Sequence, residues 1–330
     1  MVSIRLIFTT LLFGAAAVLF GGCGPSQTDR TSGEEEASTP FSAREIGFFD
    51  DPAQPTPASG RFIRYQVNSG FVDTRMVDIW LPRTYNGETP HRVLYMHDGQ
   101  MLFDGDLTWN SQEWQVDEVG GRLIAEGRLQ PFIVVGVWNN GDFRHAEYFP
   151  EAAIAHLPGS VREDLRRRHL GDPRADSYLR FLTQELLPFI NETFTVETGR
   201  EHTFVAGSSM GGLISMYALM EHPEIFGGAA ALSTHWVGLF EQNDVFPEAF
   251  RRYIADRLPR LTDHALYFDY GTARLDSLYI PHQAAVDALL SAQAPEGLRH
   301  LTLRFEGAEH NERAWAARLH EPLLFLMGDE

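Results

Sequence analysis

Thr203-Phe204-Val205-Ala206-Gly207-Ser208-Ser209-Met210-Gly211-Gly212-Leu213 is the stretch on which the reading of this chain turns. Its first four residues read as a short buried strand, and the residues from Met210 to Glu221 carry a helical pattern that stops before Pro223. Between them stands Gly-x-Ser-x-Gly, made of Gly207, Ser209 and Gly211. The spacing has a steric reason: a serine on a sharp strand-to-helix turn has a strained backbone, and glycine two residues to either side lets strand and helix approach. Ser209 then projects alone from the end of a sheet. The helix starting at Met210 aims free N–H groups and the positive end of its dipole at any oxyanion formed there. Ser208 does not fit this part, because its flanking positions are Ala206 and Met210.

On either side of this turn the chain alternates β-rich and helical runs. Arg61 to Val67 and Arg75 to Leu81 read as an antiparallel entry pair. Val93 to Met96, Phe132 to Trp138, Thr203 to Ala206, Gly228 to Leu232, Ala265 to Tyr270 and Leu301 to Phe305 read as strands largely buried on both faces. Helical patterns cover Gln115 to Glu126, Ala175 to Asn191, Met210 to Glu221, Pro281 to Ala292 and Asn311 to Leu326. The alternation predicts an α/β protein with a mainly parallel central sheet and helices on both faces. Asn139 to Arg174 and His235 to Thr262 interrupt the pattern and read as lid-like insertions.

A serine nucleophile needs a general base, and in such a sheet it belongs beyond the last strand. Of the 13 histidines only His310 and His320 lie there. His310 follows the turn Glu306-Gly307-Ala308-Glu309 and is the candidate; His320 falls inside the last helical stretch. The acid belongs after the strand Ala265 to Tyr270, where Asp269, Asp276, Glu306 and Glu309 are available. Asp269 lies inside the strand and is less free to reach His310, so Asp276 is preferred, with the task of fixing the imidazole tautomer. With the Met210 N–H as one oxyanion donor, the second is expected in the loop His97-Asp98-Gly99-Gln100-Met101: the Gln100 N–H is assigned and Met101 is the alternative. Trp109, Arg144, Tyr148 and Trp236 fall in strand-end loops or insertions and are candidates for lining a pocket, with Arg144 placed to hold a polar acceptor on the substrate. Neither a metal nor an organic cofactor is called for; His97 and Asp98, adjacent at a strand end, point to opposite faces.

The 330 residues carry a net charge of −18, and all 27 basic residues are arginine. That balance argues against nucleic acid as a partner, since phosphate binding draws on clustered positive charge. Arg5, the apolar run Leu6 to Phe20, and Gly21-Gly22 follow the order of an export signal, assigned to residues 1–22. Leu19-Phe20-Gly21-Gly22-Cys23 resembles the lipobox of bacterial lipoproteins, which implies lipidation of Cys23, the one cysteine in the chain, and a membrane-anchored, exported protein. Residues 23–59 are rich in Ser, Thr, Glu, Gly and Pro and read as a flexible tether, with the folded domain spanning 60–330.

Leu94-Tyr95-Met96-His97-Asp98-Gly99-Gln100, Gly207-Ser208-Ser209-Met210-Gly211-Gly212 and Glu309-His310-Asn311-Glu312 together resemble the Putative esterase family of α/β-hydrolases, which includes esterase D, feruloyl esterases and enterochelin-esterase-like proteins. Asn139 with Arg144, Glu147, Tyr148 and Pro150 is similar to a segment of the enterochelin-esterase-like branch. The resemblance runs over roughly residues 60–326 and implies the α/β-hydrolase fold and the order Ser209, Asp276, His310, although some enterochelin-esterase-like members work with a serine–histidine dyad. The expected activity is hydrolysis of a small or medium carboxylic ester through an acyl-enzyme. A serine peptidase of the same fold and a non-catalytic surface-binding lipoprotein are the alternatives.

Overall fold

The protein is described here by a computed structural model covering residues 40–168, 172–239 and 241–328. Among the described residues nine strands form: β1 (Ser42–Ile46), β2 (Arg61–Asn68), β3 (Arg75–Leu81), β4 (Arg92–His97), β5 (Phe132–Val137), β6 (Thr203–Ser208), β7 (Gly228–Leu232), β8 (Ala265–Gly271) and β9 (Arg299–Phe305). They join in one sheet in the order β1-β2-β3-β5-β4-β6-β7-β8-β9. The pairings from β1 to β5 along this order are antiparallel, and those from β5 across to β9 are parallel. The helices are α1 (Val116–Ala125), α2 (Arg144–Tyr148), α3 (Gly159–Arg168), α4 (Ala175–Arg180), α5 (Leu187–Thr193), α6 (Met210–Glu221), α7 (Val245–Arg257), α8 (Ile280–Gln293), α9 (Glu312–Arg318) and α10 (His320–Met327).

Side chains alternate across a strand, so a strand covered on both faces feeds two cores. Val93 and Tyr95 of β4, Ile133 and Val135 of β5, and Val205 of β6 enter one core, closed by α4, α6, α7 and α8. Leu94 and Met96, Phe132 and Val134, and Phe204 and Ala206 enter the other, closed by α1, α9 and α10. Helix α6 is buried from Met210 through Met220, which is why its sequence is apolar on every face. This is the α/β-hydrolase arrangement expected, with α2 and α3 in the first insertion and α7 in the second.

Four details differ from the sequence reading. The domain does not begin at residue 60: β1 pairs with β2, Arg64 binds Asp51 at 2.7 Å, and the Trp80 indole donates to the Ser59 carbonyl at 2.6 Å, so residues 42–59 are strapped to the sheet. An edge strand that buries only Ile46 carries no apolar run to announce it. Strand β9 is likewise an edge strand, with Arg299, His300 and Arg304 exposed, rather than one buried on both faces. The last helical stretch divides at Leu319 into α9 and α10. The stretch from Ala175 forms α4 and α5 joined by a π-helical turn over Phe181–Leu186, just before Pro188, whose missing N–H and ring do not suit a regular interior turn. The expectations for residues 1–22, for Cys23 and for the first part of the tether lie outside the described residues.

Candidate active site

The loops leaving the carboxyl ends of β4 to β9 converge on one cleft of about 770 Å³, where a parallel sheet presents its ligand site. Ser209, between β6 and α6, has φ 59° and ψ −121°, a conformation that costs an ordinary residue energy and survives only where the surroundings impose it. They do so through two hydrogen bonds: the Ser209 N–H donates to the Leu232 carbonyl (2.9 Å), and the His235 N–H donates to the Ser209 carbonyl (3.2 Å). A Cβ on Gly207 would sit 2.7 Å from the Gly211 carbonyl oxygen, so this elbow closes only around glycine. Met210 is the first residue of α6, and its N–H has no partner within the helix.

The second donor loop is a 3-10 turn over Gly99–Met101. Its approach is equally tight: a Cβ on Gly99 would lie 2.5 Å from the Gly136 carbonyl. The Met101 N–H is occupied by the Asp98 carbonyl (2.9 Å), which favours the Gln100 N–H as the oxyanion donor of the pair. Asp98 anchors the loop from a left-handed conformation (φ 58°, ψ 45°). Its carboxylate accepts from Arg144 Nε and Nη2, both at 2.6 Å, and from Asn139 Nδ2 at 2.7 Å. Burial by itself opposes ionisation of Asp98, but the Arg144 guanidinium outweighs it and holds the carboxyl below its ordinary range.

His310 and Asp276 meet as the sequence predicts. His310 Nδ1 lies 2.5 Å from Asp276 Oδ1, and the other carboxylate oxygen accepts from Ser233 Oγ (2.6 Å) and the Gly271 N–H (2.7 Å). Burial pushes the Asp276 pKa up, yet these bonds, led by His310, bring it below the usual value. An ionised acid at Nδ1 makes that nitrogen the donor and leaves Nε2 as the proton acceptor. The His310 ring is held edge-on to Trp315 (5.0 Å between centroids) and Tyr279 (5.7 Å). Ser209 and His310 line the same cleft but are not hydrogen-bonded to each other. Asp269, set aside on sequence grounds, is buried and paired with Arg318 at 2.8 Å. His320 lies on α10 beside Glu321.

Three pocket assignments need correction. Arg144 borders the cleft, but its Nε and Nη2 are bound to Asp98, so it braces the turn over Gly99–Met101 rather than standing open to a substrate carboxylate. Tyr148 is fully buried beneath the Arg144 guanidinium, 5.2 Å from its ring centroid, and does not line the cleft. Trp236 is also buried: its indole donates to Gln283 and its ring packs on Phe250 and Phe268. Both are aromatic residues in insertions that were needed to pack those insertions down. Trp109 stands at the cleft rim and is 85% exposed. His97 is buried, with Nδ1 2.8 Å from the Tyr178 hydroxyl; burial lowers its pKa to about 3.

Sequence reasoning passed over His235 and Tyr279, whose side chains meet at 2.7 Å beside Ser209. His235 follows the end of β7, a position that could have flagged it; Tyr279 sits in an apolar run, Leu278 to Pro281, that reads as core.

Comparison with known proteins shows the family of the chain. The family model described as "Putative esterase" matches residues 70–326. An uncharacterized protein, YbbA, of Bacillus subtilis is 25% identical over 170 residues, 49% of this chain and 58% of that protein. An endo-1,4-beta-xylanase/feruloyl esterase of Xylanibacter ruminicola is 24% identical over 185 residues, 53% of this chain but 20% of that protein, so the match spans only part of either relative. Among solved structures, a ferulic acid esterase superposes with a TM-score of 0.59 at 21% identity over 81% of this chain and 97% of its own. An IroE-like serine hydrolase from Shewanella oneidensis gives 0.60 at 19% identity, with 80% of each chain covered. At these identities the structural likeness speaks for the fold alone.

Proposed function

Because the chain belongs to the Putative esterase family, we propose that it is a serine carboxylic-ester hydrolase in which Ser209 is acylated and then released by water. The observation that carries this reading is the convergence on one cleft of a strained serine at a helix N-terminus and a histidine whose Nδ1 is bound to a buried carboxylate. In the proposed reaction Ser209 Oγ attacks the ester carbonyl while His310 Nε2 takes its proton. The N–H groups of Met210 and Gln100 receive the oxyanion. His310 then protonates the leaving alcohol, and the acyl-enzyme is hydrolysed by the same steps with water as nucleophile. In this reaction the Ser209 hydroxyl turns to His310 Nε2 by rotation about one side-chain bond. The cleft is lined by both Trp109 and polar groups such as Asn110, Gln112 and Asn139, which suits an ester of moderate size with an aromatic or sugar portion.

Covalent labelling by a serine-directed fluorophosphonate, mapped to Ser209 by peptide mass spectrometry, tests the nucleophile. Ser209→Ala is expected to lower ester turnover by about 10⁴-fold or more. A variant that hydrolyses esters as fast as the parent refutes the assignment. Aryl, feruloyl, acetyl-sugar and catecholate esters, assayed beside amides, define the substrate and separate an esterase from a peptidase. Export and lipidation at Cys23 are proposed from the N-terminal sequence alone; metabolic labelling with a palmitate analogue, lost on Cys23→Ala, tests them.

A further inference from the structure

The carboxylate that faces His310 is held from behind by a run of hydrogen bonds that the proposed reaction does not itself use. Ser233, the residue after β7, is fully buried with φ 43°, and its N–H donates to the Asp269 carbonyl at 2.8 Å. Its Oγ donates to Asp276 Oδ2 at 2.6 Å and accepts from Trp315 Nε1 at 3.0 Å and from Arg318 Nη2 at 2.9 Å. Trp315 and Arg318 stand three positions apart on one face of α9, the helix that begins just beyond His310. The same Arg318 nitrogen donates to Asp269 Oδ1 at 2.8 Å, and the Tyr267 hydroxyl donates to Asp269 Oδ2 at 3.1 Å. Asp269, the carboxylate set aside as catalytic acid, is thus the far anchor of the run that ends on Asp276.

Every direction in this run is dictated by the groups themselves. An indole N–H and a guanidinium only donate, so between them they fill both lone pairs of the Ser233 hydroxyl, and its single proton goes to Asp276 Oδ2. That oxygen also accepts the Gly271 N–H at 2.7 Å, which fills it and leaves Oδ1 to His310 Nδ1. We infer that Ser233, oriented by Arg318 and Trp315, is a positioning residue that fixes the Asp276 carboxylate in line with His310 Nδ1. This rests on Asp276 and His310 serving Ser209 as acid and base. A hydroxyl that accepts from a cation is the stronger donor, because hydrogen bonds in series polarise one another. Burial pushes the Asp276 pKa up, and the bonds from His310, Ser233 and Gly271 more than offset it. The Arg318–Asp269 pair, with side chains 3% and 0% exposed, is poorly explained as a source of stability, since desolvation of a buried pair rivals its attraction and apolar residues of similar volume often do as well. What an apolar residue at 318 lacks is a proton to give Ser233. Without the Ser233 hydroxyl, Oδ2 keeps the Gly271 N–H alone, and the carboxylate is free to turn about its Cβ–Cγ bond out of line with the imidazole.

The test compares the whole protein with Ser233→Gly, which deletes the hydroxyl at a backbone conformation that glycine adopts without strain. A serine-directed fluorophosphonate reads the effect directly, since Ser209 Oγ displaces fluoride from phosphorus while its proton passes to His310. The labelling rate constant, and kcat for p-nitrophenyl acetate, are expected to fall about 10- to 100-fold; this is part of the roughly 10⁴ lost when the acid's hydrogen bond is reversed, and the size that a misplacement of about 1 Å produces. KM stays near the parent value, and labelling still runs to one probe per protein. Asp269→Asn with Arg318→Met removes both charges together and strands neither. It leaves Trp315 to hold Ser233, so the labelling rate constant is expected to fall less, about 3- to 10-fold, and no further when Ser233→Gly is added. This pair carries the test if Ser233→Gly fails to give a cooperative melting curve. A rate constant within a factor of about two of the parent in a variant that melts cooperatively overturns the inference. So does a lowered labelled fraction at an unchanged rate constant, the outcome of a purely structural role. Failure of the parent protein to react with the fluorophosphonate refutes instead the assignment of Ser209, and is seen before any variant is made.

Discussion

Replacing Arg144 by Met tests whether the proposed oxyanion loop is held by charge. The substitution removes two bonds of 2.6 Å to a carboxylate whose side chain is 11% exposed, leaving Asn139 as its one remaining side-chain partner. Breaking a fully buried ion pair costs about 3–5 kcal/mol. Arg144 is itself 28% exposed, so water reaches the pair and the expected loss is smaller, about 2–3 kcal/mol. It is read as a lowered urea midpoint at unchanged slope. Asp98 holds its left-handed backbone next to Gly99 and Gln100, so the loosened loop also displaces the Gln100 N–H. A lost oxyanion donor costs about 10²–10³ in rate, and a displaced one part of that, so kcat/KM should fall roughly 10- to 100-fold. Adding Asp98→Asn removes the stranded charge, and the double variant should recover part of the stability, with a coupling energy of about 1–3 kcal/mol. A midpoint that moves by less than about 0.5 kcal/mol equivalent, with kcat/KM within a factor of about two of the parent, refutes the reasoning.

Asp276→Asn keeps the shape of the acid but reverses the hydrogen bond at His310 Nδ1, and kcat should drop by about 10⁴ without loss of fluorophosphonate access to the cleft. The depressed Asp276 pKa also predicts a pH effect: its contribution to stability is present above the unfolded-state value and is lost as pH falls through the folded one, a loss the Asn variant should not show. His97 works through the same linkage as a base. Its pKa of about 3 means that between roughly pH 6.5 and 3 the unfolded chain holds a proton that the folded one refuses, so stability falls as pH is lowered. From pH 7 to 4.5 this amounts to about 2–3 kcal/mol, measurable as the difference in urea-midpoint shift between the parent and His97→Gln; equal shifts in the two count against it. Trp109, exposed on the rim, should tolerate Ala with no change in melting temperature while KM for aryl esters rises several-fold; an unchanged KM removes it from the substrate site.

The elements nearest the chemistry were legible because their signals are local. Gly207 and Gly211 are dictated by contacts within a few residues of Ser209, and the strand and helix around them are long and apolar enough to be read by period. His310 followed from chain order, and Asp276 from the loop after β8, both consequences of how a parallel sheet sends its functional loops to one side. The pocket aromatics were less legible: Trp109, Tyr148 and Trp236 look alike in sequence, yet one is 85% exposed and two are buried.

The amino-acid sequence alone determined the layered sheet and the sharp turn at Ser209, because each rests on periodicity or on steric demands between near neighbours in the chain. Only the tertiary structure decided that Arg144 binds Asp98, 46 positions away, that β1 closes the edge of the sheet, and that Tyr279 joins His235, whose N–H is bonded to the Ser209 carbonyl. Such contacts depend on which side chains separate strands bring within 3 Å, and hydrogen bonding and ion pairing have no period in the sequence from which that meeting is read.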